Sequence, residues 1–360
     1  MKPFWHGRRV FITGHTGFKG AWLVSLLREL GAVCAGYALS PTHKEALYFQ
    51  ANTATKLEAE SIADIRDFVA ISEAIASFSP EFIFHLAAQP LVIDGYKHPY
   101  ETFTTNTLGT LNLIEALRRA PCVKVATIVT TDKVYRADQA AGQSPFSEED
   151  PLWGFDPYSA SKVGAELIAQ SYQKSILRPE ECKIIAARAG NVIGGGDWAD
   201  NRLIPDLMRA LIRGEPTLEV RYPHATRPWQ HVLEPLRAYL MYAEAAYCGK
   251  AVPVALNFGP AAEDCISVSE VIRLALASWG NSGLEIGSPV APQKPETHML
   301  SIDNGAALNV LGVRPIFPVA EAIEKTVGWY QRFSQGENPD ALVLSDIQQF
   351  LRRSGAAVGA

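Results

Sequence analysis

The tightest constraint on this chain is RVFITGHTGFKG at residues 9–20, where a β-rich apolar run breaks into a turn carrying Gly14, Gly17 and Gly20. The helical pattern AWLVSLLREL follows at once and stops at Gly31, a residue suited to the left-handed position after a helix. Strand, glycine turn and helix in this order form the opening βα unit of a dinucleotide-binding sheet. The glycines let backbone approach a pyrophosphate, while the helix start offers unpaired N–H groups and a positive dipole end. Gly14, Thr16, Gly17, Phe18, Lys19 and Gly20 are therefore candidate cofactor contacts.

The same rhythm continues through the first half of the chain. The apolar runs 33–39, 82–88, 123–131 and 183–189 read as strands, and TFTTNTLGTLNLIEALRRA (102–120) and YSASKVGAELIAQSYQ (158–173) read as helices between them. Asp156-Pro157 supplies a helix cap followed by proline at the first helical position. Beyond about residue 190 the pattern changes. GGGDWADNRLIPD is a loop entering a helix, RYPHATRPWQHVLEP is extended, ISVSEVIRLALASWG is a helix opened by Ser267 or Ser269, and VPVALNFGP (252–260) reads as a strand returning to the main sheet. The expected class is α/β: a Rossmann doubly wound parallel sheet with a smaller, interleaved α/β substrate-binding lobe. Residues 1–190, with returning segments near 228–260, would form the first. Residues 191–227 and 261–345 would form the second, and 346–360 the end of a C-terminal helix and a frayed tail.

Composition excludes several classes of function. A net charge of −5 without a long Lys/Arg run argues against a nucleic-acid partner. No run of apolar residues is long enough to span a bilayer and the N-terminus lacks a signal-peptide pattern, so the cytoplasm is the expected location. Cys34, Cys122, Cys182, Cys248 and Cys265 show neither CxxC nor Cys/His metal spacing, so neither disulfide nor structural zinc is expected.

Two further motifs bear on chemistry. Tyr158 and Lys162 stand four residues apart, on one helix face, and Thr131 ends a strand one βα unit upstream. A free phenol has a pKa of about 10, so a neighbouring ammonium and a positive nicotinamide ring are expected to favour the phenolate, with Lys162 also holding the nicotinamide ribose. Where an NAD-selective sheet often carries Asp or Glu after its second strand, this chain has Ser40 and Pro41. No Arg follows to hold a 2′-phosphate, although His43 and Lys44 are near, so NAD is the expected cofactor. Asp64 is placed to approach the adenine or to be a solvated turn aspartate.

TGxxGxxG (14–20), HLAAQ (85–89), Asn106, TTD (130–132), YxxxK (158–162) and RAGNVIGGGDW (188–198) occur in one order along almost the whole chain. In these motifs the chain resembles the extended short-chain dehydrogenase/reductases that act on nucleotide sugars. AAQPLV, TDK, DPYSASK, GNVIGGGDWADNRLIP, RPWQHVLEP and NFGP make it most similar to the CDP-glucose 4,6-dehydratases among them. The resemblance implies bound NAD, with Ile65, Ala87, Ala88 and Asn106 joining the cofactor set. It also implies a CDP-glucose-like substrate and a homodimer or homotetramer docked through the helices near 98–120 and 157–176. Its implied setting is dideoxy-sugar synthesis for bacterial surface polysaccharide such as the O antigen of lipopolysaccharide.

It further implies a reaction. Oxidation at sugar C4, by Tyr158 with help from Thr131, would acidify the C5 hydrogen, and loss of water from C5–C6 would follow. That step needs a second acid and base, for which Asp132 and Lys133 are the candidates. Desolvation could keep Asp132 protonated, and burial beside positive charge could make Lys133 neutral; a charged Lys133 would instead polarise the ketone or stabilise the enolate. Related dehydratases usually carry Glu at that position. A structural ion pair at a strand end is the plain alternative. Arg227, whose guanidinium suits a diphosphate, and Asn191 lead the candidate substrate set, which Gln89, Arg202, Leu203 and His231 complete. Trp153, Trp198 and Trp229 could line the pocket or simply belong to the core; His85 and His298 receive no role. A 4-epimerase would need Tyr158 and Thr131 but not Asp132 and Lys133. A non-enzymatic NAD-binding protein would need none of the four.

Overall fold

Seven strands pair in parallel in a computed structural model that describes residues 1–136, 145–280, 283–287 and 300–355. They are β1 (Arg9–Thr13), β2 (Val33–Ala38), β3 (Ala59–Ile62), β4 (Phe82–His85), β5 (Val125–Val129), β6 (Lys183–Ala189) and β7 (Ala255–Phe258). Their order across the sheet is β7-β6-β5-β4-β1-β2-β3. The expected doubly wound α/β sheet is thus present, and the segment around 252–260 does return to it, beside β6. His298 and residues 356–360 lie outside the described residues.

Both sheet faces are covered, which is why the strand sequences are apolar throughout rather than alternating. On one face Phe11, Tyr37, Ile83 and Ile128 pack against helices Phe68–Phe78, Gly109–Leu117 and Pro157–Ser175. On the other, Val10, Ile12, Phe84 and Ala187 meet helices Phe18–Glu29 and Leu233–Tyr247 and join one large core with the later helices. The C-terminal helix Pro339–Arg353 belongs to this second core through Leu342, Ile347 and Phe350, and it rests partly on Phe18–Glu29.

Several expectations are refined. The run 123–131 stops pairing as a strand at Val129; Thr130 stays extended through its N–H to Ala187 O at 2.9 Å, and a 3₁₀ turn, Asp132–Val134, follows. The helix expected over 102–120 contains a π-helical turn at Thr104–Leu108. Ser267 is the cap of Val268–Trp279, accepting from Glu270 N, and Asp156 caps Pro157–Ser175 through Tyr158 N and Ser159 N. Leu233–Pro235, expected to be extended at the end of RYPHATRPWQHVLEP, instead open helix Leu233–Tyr247; the rest of that helix and helix Val319–Ser334 had no assignment from sequence. The first is buried on all sides and shows no amphipathic stripe. The second carries Thr326, Val327 and Gly328 in mid-helix, a run of low helix propensity.

The glycine turn depends on missing side chains. Gly14 has φ +76°, and a Cβ there would lie 2.7 Å from Ala87 N; a Cβ on Gly20 would lie 2.1 Å from Gly14 O. Gly20→Ala should therefore push the helix off the turn, cost about 1–3 kcal/mol of stability and abolish dinucleotide binding. Denaturant unfolding and a binding titration check both; an unchanged midpoint with intact binding would contradict the packing described.

Candidate active site

The chain runs outward from β1 to β3 and then resumes at β4 on the other side of β1, so the crevice between these halves opens at the carboxyl ends of the strands. A cleft of about 1040 Å³ occupies that position. It is bordered by the glycine turn, the ends of β4, β5 and β6, and the loop that follows Gly190.

On the glycine side, Gly14, Thr16, Gly17, Phe18, Lys19 and Gly20 all border the cleft, as do Asp64, Ile65, Ala87 and Ala88. Thr16 Oγ1 donates to Leu39 O at 2.8 Å, fixing the turn against the end of β2. Ser40 and His43 also face this end. Asp64 is held by Arg66, whose Nε lies 3.0 Å from both carboxylate oxygens, and this pairing keeps Asp64 below the usual carboxylate range. Bare backbone at Gly17, where a Cβ would meet only Gly14 O at 3.4 Å, and a helix starting at Phe18 leave a cradle at the cleft, and the residues present fit the diphosphate of NAD.

The TTDK segment crosses the cleft floor. Thr131 Oγ1 donates to Asp132 Oδ1 at 3.0 Å, and the Tyr158 phenol stands close enough to the same hydroxyl to interact with it, so Tyr158, Thr131 and Asp132 adjoin in one row. Asp132 is 2% exposed and its Oδ2 has no protein partner. Burial pushes its pKa up, against the opposing pull of Lys133, Thr131, Arg227 and Lys19. Lys133 is half-buried and also borders the cleft.

Burial pushes Tyr158 up to about 12, with Thr131 and Arg202 opposing and Asp132 adding to it; the positive ring of bound NAD would act against that rise. The Lys162 ammonium donates to Val129 O at 3.0 Å, and burial lowers it to about 8. Lys19 is lowered to about 7 by burial and by the charges of Lys162 and Arg202, with Asp132 opposing. Sequence placed Lys19 only in the phosphate turn; nothing in its spacing revealed that it shares the floor with Asp132.

On the opposite side, Asn191, Arg202, Leu203, Arg227, Trp198 and Trp229 border the cleft. Arg202 is ion-paired with Asp197 at 2.9 Å, which raises its pKa, and Arg227 donates to Thr226 O at 2.8 Å. Gln89 borders the cleft too, but its amide bonds Leu91 and Thr102. Two candidates are not brought to the cleft. Asn106 is buried behind it, bonding the backbone of Gln89 and the Ser161 hydroxyl, where it fixes Gln89 against the Tyr158 helix. His231 is fully buried between Trp22 and Phe317, and burial lowers it to about 3, so it is a neutral core residue. Trp153 is exposed away from the cleft, and His85 bridges Thr13 and Thr110 inside the protein. All five cysteines are free. Among the described residues no cluster of His, Cys, Asp or Glu could hold a metal ion, and no helix is long and apolar enough to cross a membrane.

A parallel sheet with a glycine turn at its switch point, facing a Thr–Tyr–Lys group, defines a dinucleotide-binding fold of the short-chain dehydrogenase/reductase type. The chain belongs to the NAD dependent epimerase/dehydratase family, whose model matches residues 10–255. A CDP-glucose 4,6-dehydratase of Salmonella typhimurium is 40% identical over 352 residues, covering 96% of each chain. A UDP-glucose 4-epimerase of Mycolicibacterium smegmatis is 30% identical, covering 91% of this chain and all of that one. Among solved structures, the Thermotoga maritima UDP-glucose 4-epimerase with UDP-glucose superposes with a TM-score of 0.78 at 21% identity, over 90% of this chain and 99% of that one, a likeness of fold. MoeE5 in complex with UDP-glucose and NAD gives 0.74 at 25% identity, over 91% and 100%.

Lys19 and Lys162 are charged below about 7 and about 8 respectively and lose that charge as pH rises. Affinity for the anionic dinucleotide should accordingly fall by about tenfold across that window, equivalent to roughly 1.4 kcal/mol of lost attraction. Calorimetric titration with NAD at several pH values checks this. Lys19→Met should weaken binding on the acid side and remove the lower part of the dependence; a flat profile in the parent protein would contradict it.

Proposed function

We propose that this protein dehydrates CDP-D-glucose to CDP-4-keto-6-deoxy-D-glucose, a net redox-neutral loss of water, as a nucleotide-sugar hydro-lyase. The observation that carries the reading is the row Tyr158, Thr131 and Asp132, with Thr131 hydrogen-bonded to Asp132 and Lys133 adjoining on the floor of one cleft. The first two groups suffice to remove a proton from a sugar hydroxyl. A buried acid beside them is needed only if a second bond must break. The resemblance to the Salmonella typhimurium CDP-glucose 4,6-dehydratase supports the same substrate. The cytosine base rests on that likeness, with the residues around 202–206 as its contacts.

NAD, when bound, supplies a hydride acceptor at C4, a hydride donor at C6 and a positive ring beside the phenol. Tyr158 takes the O4 proton as its phenolate, which the positive nicotinamide ring would favour against burial, and Thr131 holds the phenol and substrate hydroxyl in line. Burial keeps Asp132 able to carry a proton, which it gives to the departing C6 hydroxyl. Lys133 in its neutral form accepts the C5 proton and returns it to C5 when the hydride reaches C6; held charged, it would only stabilise the enolate and leave the C5 proton without an acceptor. Arg227, with Asn191 and Arg202, holds the diphosphate. The sheet layer serves the cofactor, and segments 191–227 and 261–345 serve the sugar nucleotide.

Tyr100, Leu108 and Leu167 leave exposed apolar surface on the helices at 98–120 and 157–176. A second copy docked there would cover it, consistent with a homodimer or homotetramer. The setting we favour is cytoplasmic deoxysugar synthesis for surface polysaccharide. The relative with 4-epimerase activity supports an alternative, epimerisation at C4, which leaves Asp132 and Lys133 without a task.

Incubation with CDP-glucose followed by mass spectrometry separates the readings: a product lighter by one water supports dehydration, whereas unchanged mass with inverted C4 supports epimerisation. Asp132→Asn should reduce water loss by about 10²-fold or more while C4 oxidation persists. Lys133→Met should do the same if Lys133 is the base, and dehydration at the parental rate would exclude that role.

A further inference from the structure

Glu166 is fully buried one turn beyond Lys162 and two beyond Tyr158, so three functional side chains stand in a row on one helix face. It pairs with Arg188 near the end of β6: the Arg188 Nε lies 3.0 and 3.1 Å from the two carboxylate oxygens, and Nη2 donates to Oε1 as a second prong. Removing both charges from water is costly, and only well-formed, fully bonded geometry offsets it. Beyond a bond that Glu166 Oε1 accepts from Gln170 Nε2 at 3.2 Å, the pair bonds to the two ends of one short segment. Thr130 Oγ1 donates to Glu166 Oε2 at 3.1 Å, and Arg188 Nη1 donates to the Tyr135 hydroxyl at 2.7 Å. That hydroxyl donates to Asn257 Oδ1 of β7 at 2.6 Å, and Asn257 Nδ2 donates to Phe146 O at 3.0 Å.

Between the two anchors lie Thr131, Asp132 and Lys133. The Tyr135 ring is stacked on Phe146, centroids 5.1 Å apart and 3° from parallel. Both belong to a small apolar cluster with Val134, Val163 and Ile302, distinct from the two main cores. Gly190, just after β6, leaves room for the carboxylate, since a Cβ there would lie 2.9 Å from Asp132 Oδ2. The segment is thus held before Thr131 and after Lys133.

We infer that Glu166, Arg188, Tyr135 and Asn257 form a buried positioning network that holds Asp132 and Lys133 in register with Tyr158 and Thr131. Its two anchors serve different halves of the reaction. Thr130 steadies the Thr131–Tyr158 couple that oxidises C4, whereas Tyr135 steadies the turn that presents the elimination pair. None of the four network residues borders the cleft, so they act through the segment they hold and not on the sugar. The inference rests on the dehydratase reading, because only that reaction uses both halves.

Tyr135→Phe removes one hydroxyl and keeps the ring stack; Thr130→Val removes the other anchor at similar volume. Displacements of about 1 Å can cost about 10²-fold in rate. Tyr135→Phe should therefore lower kcat for water loss by about 10- to 100-fold with KM within about twofold. Quenched reactions should accumulate a sugar that has lost two hydrogens but no water. Thr130→Val should slow turnover without that accumulation, since oxidation itself is impaired; it also carries the test if Tyr135→Phe fails to fold. Water loss at the parental rate in folded Tyr135→Phe, or equal slowing of the same step in both variants, would overturn the inference alone. Parent protein that released no water from the nucleotide sugar would overturn the functional reading and this inference with it.

Discussion

The Glu166–Arg188 pair joins elements that the chain supplies far apart: the helix of Tyr158 and Lys162, the end of β6, and the TTDKVY segment after β5. A buried ion pair is a poor source of net stability, since apolar residues of similar volume often serve as well. What it offers here is direction. A two-pronged guanidinium–carboxylate contact fixes the relative position of its carriers more narrowly than apolar packing does. The approach of Tyr158 to Thr131 and Asp132 depends on that registration, because it brings a helix against a strand end.

Around this frame charges of both signs line the cleft. Lys19, Lys162, Arg202 and Arg227 border it together with the buried carboxylates of Asp132 and Asp197, the latter paired with Arg202. Such a surface suits a ligand with two diphosphates, one from cofactor and one from substrate. Burial acts on the cationic and acidic members in opposite senses, bringing Lys19 and Lys162 down towards neutrality and Asp132 up. Groups that would be fully charged on the surface are thereby placed where proton transfer at ordinary pH is feasible.

Much of this was legible in the sequence because it is written locally. Strand, glycine turn and helix are contiguous; Asp156 caps the helix it precedes; Tyr158 and Lys162 are one turn apart. The parts that escaped are set by tertiary contacts. Asn106 and His231 lie in motifs beside cleft-lining residues, yet one is turned onto Gln89 and the other packed between aromatic rings, and neighbourhood in sequence does not decide which way a side chain faces. Lys162 stands in its expected place, but its bond to Val129 O could not be read from a four-residue spacing. Arg188 opens the RAGNVIGGGDW motif and Tyr135 stands two residues beyond TDK; their meeting requires the pairing of β5 with β6, which only the fold supplies.

The central claim is that one cleft carries both an oxidation at C4 and an elimination across C5–C6, with the same hydrogen moved between them. CDP-glucose bearing deuterium at C4, mixed with unlabelled substrate, tests it most directly. The account predicts product with deuterium at C6 of the same molecules that began with it, and no exchange between labelled and unlabelled pools. Deuterium retained at C4, lost to solvent, or scrambled between molecules would contradict it.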